Sequence, residues 1–183
     1  MVIDIKKFAV MNKVETDDLI TRPVGRLLFK KLSLKLGELQ DGEVVLINFK
    51  GIRVIDSSFI DEFLVALILQ SMKNDFKFFV KLKNFTTIIE INIESVFNSY
   101  SNFKRQNIAV ITEDICQNNH FFIGAIEPTC QDILEYIRVN KNVTLEDISH
   151  FIGKPLDTLK ETIEKLFLMR LIRKVDINNY AAV

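Results

Sequence analysis

Between Ile55 and Phe63 the chain reads IDSSFIDEF, which sets two hydroxyls, Ser57 and Ser58, among three carboxylates, Asp56, Asp61 and Glu62. These residue types support three kinds of chemistry. A serine at a helix start can accept a phosphate, because unpaired backbone N–H groups and the positive end of the helix dipole favour added negative charge. Paired carboxylates can exchange protons or hold a metal when a nucleophile, a histidine or further ligands lie close by. The third role is structural, since Ser58 with Asp61 three residues later resembles a capping box and acids in a first turn complement the dipole. Asp56, Asp61 and Glu62 crowd the turn with negative charge and oppose a phosphate there. A capped helix start accounts for the residue types without modification and is the preferred reading. Phosphorylation at Ser57 or Ser58, and a fixed partner contact made with Asp56, Phe59, Asp61 and Glu62, are the alternatives.

Other reactive residues add little to a catalytic reading. His120 and His150 each lie beside phenylalanine, which suits a surface or core role, and their spacing to Cys116 and Cys130 matches no zinc pattern. The two cysteines are expected to be reduced and partly buried. Six glycines, at 25, 37, 42, 51, 124 and 153, form neither a dinucleotide fingerprint nor a phosphate loop. The expectation is a non-enzymatic protein without metal or cofactor, with a small-molecule enzyme as the remaining alternative.

Composition sets the scale. A chain of 183 residues that is 48% hydrophobic can bury one sizeable core or two small ones. With 24 basic and 24 acidic residues it has no net charge to draw it to nucleic acid or an anionic membrane, so such binding needs a local patch. MVIDIKKFAV lacks the features of a secretory signal, and FLVALIL is too short to cross a bilayer. A cytoplasmic, membrane-free protein is expected.

Hydrophobic periodicity places the elements. Alternation in VIDIKKFAV suggests a first strand, and PVGRLLFKKLSLKLGEL, after the turn-rich ETDD, carries Val24, Leu27, Leu28, Leu32 and Leu36 at helical spacing behind Pro23. DGEVVLINF reads as a central strand. From Ser58 to about Lys73, Ile60, Phe63, Leu64, Leu67 and Ile68 mark a helix face that Phe59, Val65, Ala66 and Leu69 widen, so this helix is buried or meets a partner. DFKFFVKL, NIAVITE and HFFIGAI read as strands. NFTTIIEINIESVFNSY alternates like a strand at Ile89, Ile91 and Ile93, yet its place between strands favours a helix. The sum is an α/β layer with a mostly parallel sheet.

AIEPTCQD marks a boundary, which divides the chain into residues 1–125 and 126–183. Thr129 is expected to cap a helix through CQDILEYIRVN with Ile133, Leu134 and Ile137 inward, Thr144 with Asp147 to cap LEDISHFIG, and Pro155 to open PLDTLKETIEKLFLMRLI. IRKVDINNYAAV then forms a β-hairpin around DINN.

Two resemblances follow from these passages. TRPVGRLLFKKL followed by GEVVLINFKGIRVIDSSFIDEFLVAL resembles the STAS-like domain family, related to anti-sigma-factor antagonists and sulfate transporters, over roughly residues 21 to 72. That resemblance implies a mixed sheet with helices and a protein-binding role, and it places the antagonists' phosphorylated serine at Ser57. The glycine and leucine that follow the serine pair in the antagonists are replaced here by Phe59, Ile60 and Asp61. TLEDISHFIGKPLDTLKETIEKLFLMRLI resembles bacterial winged-helix repressors, which implies DNA binding through Lys154, Thr158, Lys160, Arg170, Arg173 and Lys174. Charge argues the other way, because residues 127–183 hold eight basic and nine acidic side chains. Phe167, Leu168 and Met169 form an apolar triplet where the resemblance implies polar residues, and they are expected either to form an interface with the first domain or a second copy, or to fill the core. The combined expectation is a regulatory protein with a protein partner, transcription as its setting, and either DNA or protein association, including a homodimer, as the task of the second domain.

Overall fold

The computed structural model describes residues 1–15, 17–73 and 78–183. Its main sheet grows outward from one edge. Strand β1 (Val2–Asp4) pairs in parallel with β3 (Val44–Asn48), β3 with β5 (Phe79–Lys83), and β5 with β6 (Ala109–Thr112), while β7 (Phe122–Gly124) runs antiparallel to β6. Every parallel crossover advances in the same direction. Right-handed connections therefore put the intervening helices on one face of the sheet. These helices are α2 (Arg22–Leu36), a continuous helical segment from Ser57 to Ser71, and α5 (Thr87–Lys104). Val45 and Ile47 of β3, Val80 and Leu82 of β5, and Val110 of β6 face them in the buried core.

The first expected strand ends early. Asp4 accepts a hydrogen bond from the Lys7 N–H and starts α1 (Ile5–Met11), which buries Ile5, Phe8 and Ala9 at helical spacing. The apolar positions of VIDIKKFAV fit both periods, and the cap decides between them. In α2, Gly25, Leu28, Leu32 and Leu36 are buried, whereas Leu27 faces outward. The segment NFTTIIEINIESVFNSY is helical, as expected, with Ile89, Ile93, Val96, Phe97 and Tyr100 inward and Ile91 exposed. Of the expected strand DFKFFVKL, residues 75–77 lie outside the described residues, as does Thr16 in ETDD; β5 begins at Phe79.

The helix after IDSSF is nearly all buried. Phe59, Ile60, Phe63, Leu64, Val65, Leu67 and Ile68 are each less than about a tenth exposed, and burying a side chain of this size contributes roughly 1.5–3 kcal/mol. It is not a uniform α-helix. An α-helical start, α3 (Ser57–Phe59), passes into a π-helical stretch, Ile60–Val65, and then into α4 (Ala66–Ser71). Such stretches are rare, and they concentrate at functional sites.

The chain divides into two compact units, Met1–Ala125 and Ile126–Val183. The second holds α6 (Pro128–Asn140), β8 (Asn142–Thr144), α7 (Leu145–Ile152), α8 (Leu156–Leu168), β9 (Ile172–Lys174) and β10 (Asn179–Ala182), with the strands in an antiparallel sheet of order β8-β10-β9. The expected hairpin is β9 with β10. Strand β8 was not expected; Asn142, Val143 and Thr144 are too few to show a period. Thr144 and Asp147 form the expected capping box. Thr129 does not cap α6, because Pro128 already occupies the first turn and Glu127 is the cap residue. No helix among the described residues is long and apolar enough to cross a membrane.

Helix α2 meets the π-helical stretch at Gly25. A Cβ there would stand 2.9 Å from Glu62 Cβ and 3.2 Å from the Phe59 carbonyl oxygen. Gly25→Ala gains helix propensity of about 1 kcal/mol but forces two backbones apart. A net destabilisation of about 1–3 kcal/mol is expected, measured by urea denaturation.

Candidate functional site

The turn before Ser57 is fixed from three sides. Strands β2 (Asp18–Leu19) and β4 (Val54–Ile55) pair in parallel, an ion pair links Arg53 to Asp18, and the Leu19 carbonyl accepts from the Asp56 N–H at 3.3 Å. From α5, the Asn92 amide donates to the Ile55 carbonyl at 2.8 Å. Asp56 itself joins two helix starts. Its Oδ1 accepts from the Phe59 N–H at 2.7 Å, and its Oδ2 accepts from the Thr21 N–H, just ahead of α2, at 3.1 Å. Thr21 has φ 77° and ψ 146°, a conformation that β-branched residues rarely adopt.

This arrangement corrects the capping assignment. Asp56 is the cap, and Ser58 is already inside the helix, so the Ser58–Asp61 capping box does not form. Caps of the Asp56 kind contribute about 0.5–2 kcal/mol. Ser57 occupies the first helical position with an exposed side chain, Ser58 is half-buried, and Phe59 is fully buried and stacked on Phe63 with ring centroids 5.2 Å apart. Phe59 therefore shapes the surface from beneath.

Asp61 and Glu62 do not serve mainly as dipole partners. They face the arginines of α2. Arg22 Nη1 donates to Asp61 Oδ2 and to Glu62 Oε1, both at 2.8 Å, and Arg26 grips Glu62 with two bonds of 2.8 Å from Nε and Nη2. The Tyr100 hydroxyl donates to Asp61 Oδ1, and Lys104 Nζ lies 3.7 Å from the centroid of the Tyr100 ring. Arg22 and Arg26, one helical turn apart, stand in TRPVGR, a passage that the sequence shows only as part of a resemblance. Their partners lie 36 to 40 residues further on.

The pairing sets the protonation states. Hydrogen bonds from Arg26, then Arg22, pull the Glu62 carboxyl from 4.5 down to about 2. Burial works against charge on Asp61, yet the bonds from Tyr100 and Arg22 outweigh it and hold that carboxyl below its ordinary value. Burial, then the bond to Asp61, raises the Tyr100 hydroxyl, while the bond to Tyr100 raises Lys104. Beside this network lies a cleft of about 320 Å³ lined by Ser57, Arg22, Asp61, Ser99, Tyr100 and Lys104, among others. The crowding of carboxylates around Ser57 is thus offset by cations held against them.

The remaining candidates lie elsewhere. Lys154 Nζ approaches Thr129 Oγ1 at 3.3 Å, Thr158 is exposed in the first turn of α8, and Lys160 pairs with Asp157 at 2.8 Å. The Arg170 guanidinium lies over the Phe167 ring at 5.4 Å, Arg173 is half-buried in β9, and Lys174 is exposed at its end. Of the apolar triplet, Phe167 is half-buried, Leu168 exposed and Met169 buried at the end of α8. Cys116 and Cys130 are free and buried, and burial raises both thiols. His120 stacks on Phe122, and His150 is exposed in the last turn of α7. No family model matches the chain, and no curated protein matches it in sequence.

Because the Glu62 carboxyl is lower in the folded chain than its ordinary value, its stabilising effect is complete above pH 4.5 and is lost as pH falls towards about 2. Wild type and Glu62→Gln, unfolded by denaturant at a series of pH values, should differ most above pH 4.5 and converge as pH approaches about 2.

Proposed function

We propose that this chain is a non-enzymatic regulatory protein in which a STAS-like domain, residues 1–125, recognises a protein partner through the surface around Ser57, and a winged-helix domain, residues 126–183, adds a second macromolecular contact. One observation carries the reading. Asp61 and Glu62 are held as carboxylates against Arg22 and Arg26 beside an exposed serine, on a helix whose opposite side is buried. A carboxyl drawn down to about 2 is poorly matched to proton transfer near neutral pH, whereas fixed, alternating charges on a rigid helix suit partner recognition. Ser57 also suits a phosphorylation switch, because Arg22 and Lys104 line the same cleft and would compensate the added charge.

For residues 126–183, three helices followed by a hairpin agree with the winged-helix resemblance. Lys160 on α8 is drawn to Asp157, which lowers the positive charge available to a phosphate backbone and favours a protein contact along that helix. Leu168, exposed beside Phe167, is the apolar element suited to a second copy of the chain.

Ser57→Arg changes an exposed side chain and should leave stability within about 0.5 kcal/mol. It is expected to abolish capture of the protein that copurifies with the untagged wild type; equal recovery of that partner would overturn the reading. In gel-shift titrations across salt, no specific shift of genomic fragments is expected, and a specific, salt-sensitive shift would assign the winged helix to DNA instead.

A further inference from the structure

We propose that the outer face of α2 is a docking surface for an anionic lipid bilayer, distinct from the contact around Ser57. Charge in the first unit is segregated between two packed helical segments. Arg22–Leu36 holds five cations, Arg22, Arg26, Lys30, Lys31 and Lys35, and no carboxylate, whereas the segment from Ser57 to Ser71 holds Asp61 and Glu62 and no cation. Arg22 and Arg26 take up both of those carboxylates. Lys30 and Lys31 are exposed, and among the described residues no carboxylate pairs with them or with Lys35. Between these lysines stand two leucines that the core does not use. Gly25, Leu28, Leu32 and Leu36 are buried, so the outward line of the helix runs through Pro23, Leu27 and Leu34, with Leu27 37% and Leu34 71% exposed. Lys30 flanks that line on one side and Lys31 on the other.

Helix α1 adjoins the end of α2, where Lys35 Nζ lies 5.6 Å from the centroid of the Phe8 ring. It exposes Lys7, Val10 and Met11, and Lys13 is exposed just beyond it. Exposed Glu15 and Glu38 follow the two helices and reduce the positive excess without cancelling it, since Lys7, Lys13, Lys30, Lys31 and Lys35 outnumber them. The competing explanation is an ordinary solvated face, on which single exposed leucines are normal. Such a face mixes the two signs, as α8 does with Asp157, Lys160, Glu161, Glu164 and Lys165, and α2 does not. A convex ridge of leucine with lysine on both flanks suits a lipid interface: the leucines enter the acyl boundary while the lysine stems reach back to acidic headgroups. A protein partner would need a groove shaped to that ridge, whereas a fluid bilayer needs none. The contact is peripheral, because no helix among the described residues is long and apolar enough to cross a membrane. Net charge and helix length, on which the expectation of a membrane-free chain rests, do not bear on a patch of this size.

The test is cosedimentation of the full chain with vesicles, titrated at low and at raised salt, made of phosphatidylcholine alone or with about one-third phosphatidylserine. Wild type is expected to bind the anionic vesicles, to leave them as salt rises, and to stay free of the neutral ones. Loss of one lysine near an anionic surface weakens binding roughly fivefold, so Lys30→Gln combined with Lys31→Gln should cost about 25-fold. Leu34→Ser should weaken binding about tenfold. All three side chains are exposed, so the urea midpoints of these variants should match that of the wild type. Lys30→Arg combined with Lys31→Arg keeps the charge and should keep the binding. Failure of wild type to bind anionic vesicles overturns the proposal, as does undiminished binding by both the glutamine and the serine variants, or loss of binding by the arginine variant. An acidic protein that wild type captures and the glutamine variant does not, with no vesicle binding, would make this a protein surface instead.

Discussion

The first unit depends on how closely two helices approach at Gly25. With no Cβ at that position, α2 lies against the Phe59 backbone and the Glu62 side-chain stem. The same approach sets Arg22 and Arg26 at bonding distance from Asp61 and Glu62. A bulkier residue would lengthen every one of those bonds together. Stability comes chiefly from the apolar side of the contact, since Phe59, Phe63 and Leu64 are fully buried while the arginines are half-exposed or more and screened by solvent. The ion pairs add orientation: they hold each charge in one place on the surface.

Asp56 ties this packing to the turn. One carboxylate accepts backbone N–H groups from both helix starts, and the short β2–β4 pairing brings the two segments together so that it can. The strained Thr21 is then a consequence of where the chain must pass, and the hydrogen bonds around it hold the strain in place. The π-helical stretch follows directly, with Asp61 and Glu62 in its first turn. An exposed serine thus sits at the end of a helix whose register, charge and entry angle are all fixed.

Charge in this protein is a local property. The whole chain is neutral, and residues 126–183 are slightly acidic, yet cations gather at two separate clefts. Beside Ser57 they are balanced by carboxylates and form a mixed surface. At the end of α6, Arg138, Lys141 and Arg173 line a second concavity. Net charge reflects neither arrangement, because screening confines each interaction to about a Debye length.

Much of the fold was legible in the sequence, because burial on one face of a helix or strand leaves a period that local inspection detects. The helical faces at Ile60–Ile68 and Ile133–Ile137, the central strand at Val44–Asn48, and the Thr144 capping box all came from residues within a few positions of one another. Local patterns misled where two fitted the same residues. VIDIKKFAV satisfies both periods, and the helix start expected at Ser58 falls two residues earlier, at Asp56, whose carboxylate accepts from the Phe59 N–H and also reaches the Thr21 N–H across the fold. The site was half visible: the acids and serines stood out, while Arg22, Arg26, Tyr100 and Lys104 gained meaning only when the fold carried them across the intervening residues. Composition and period determined the elements; the partners of each charge, the π-helical stretch and the cleft at α6 were decided by tertiary packing, because each depends on distances between segments that no local pattern encodes.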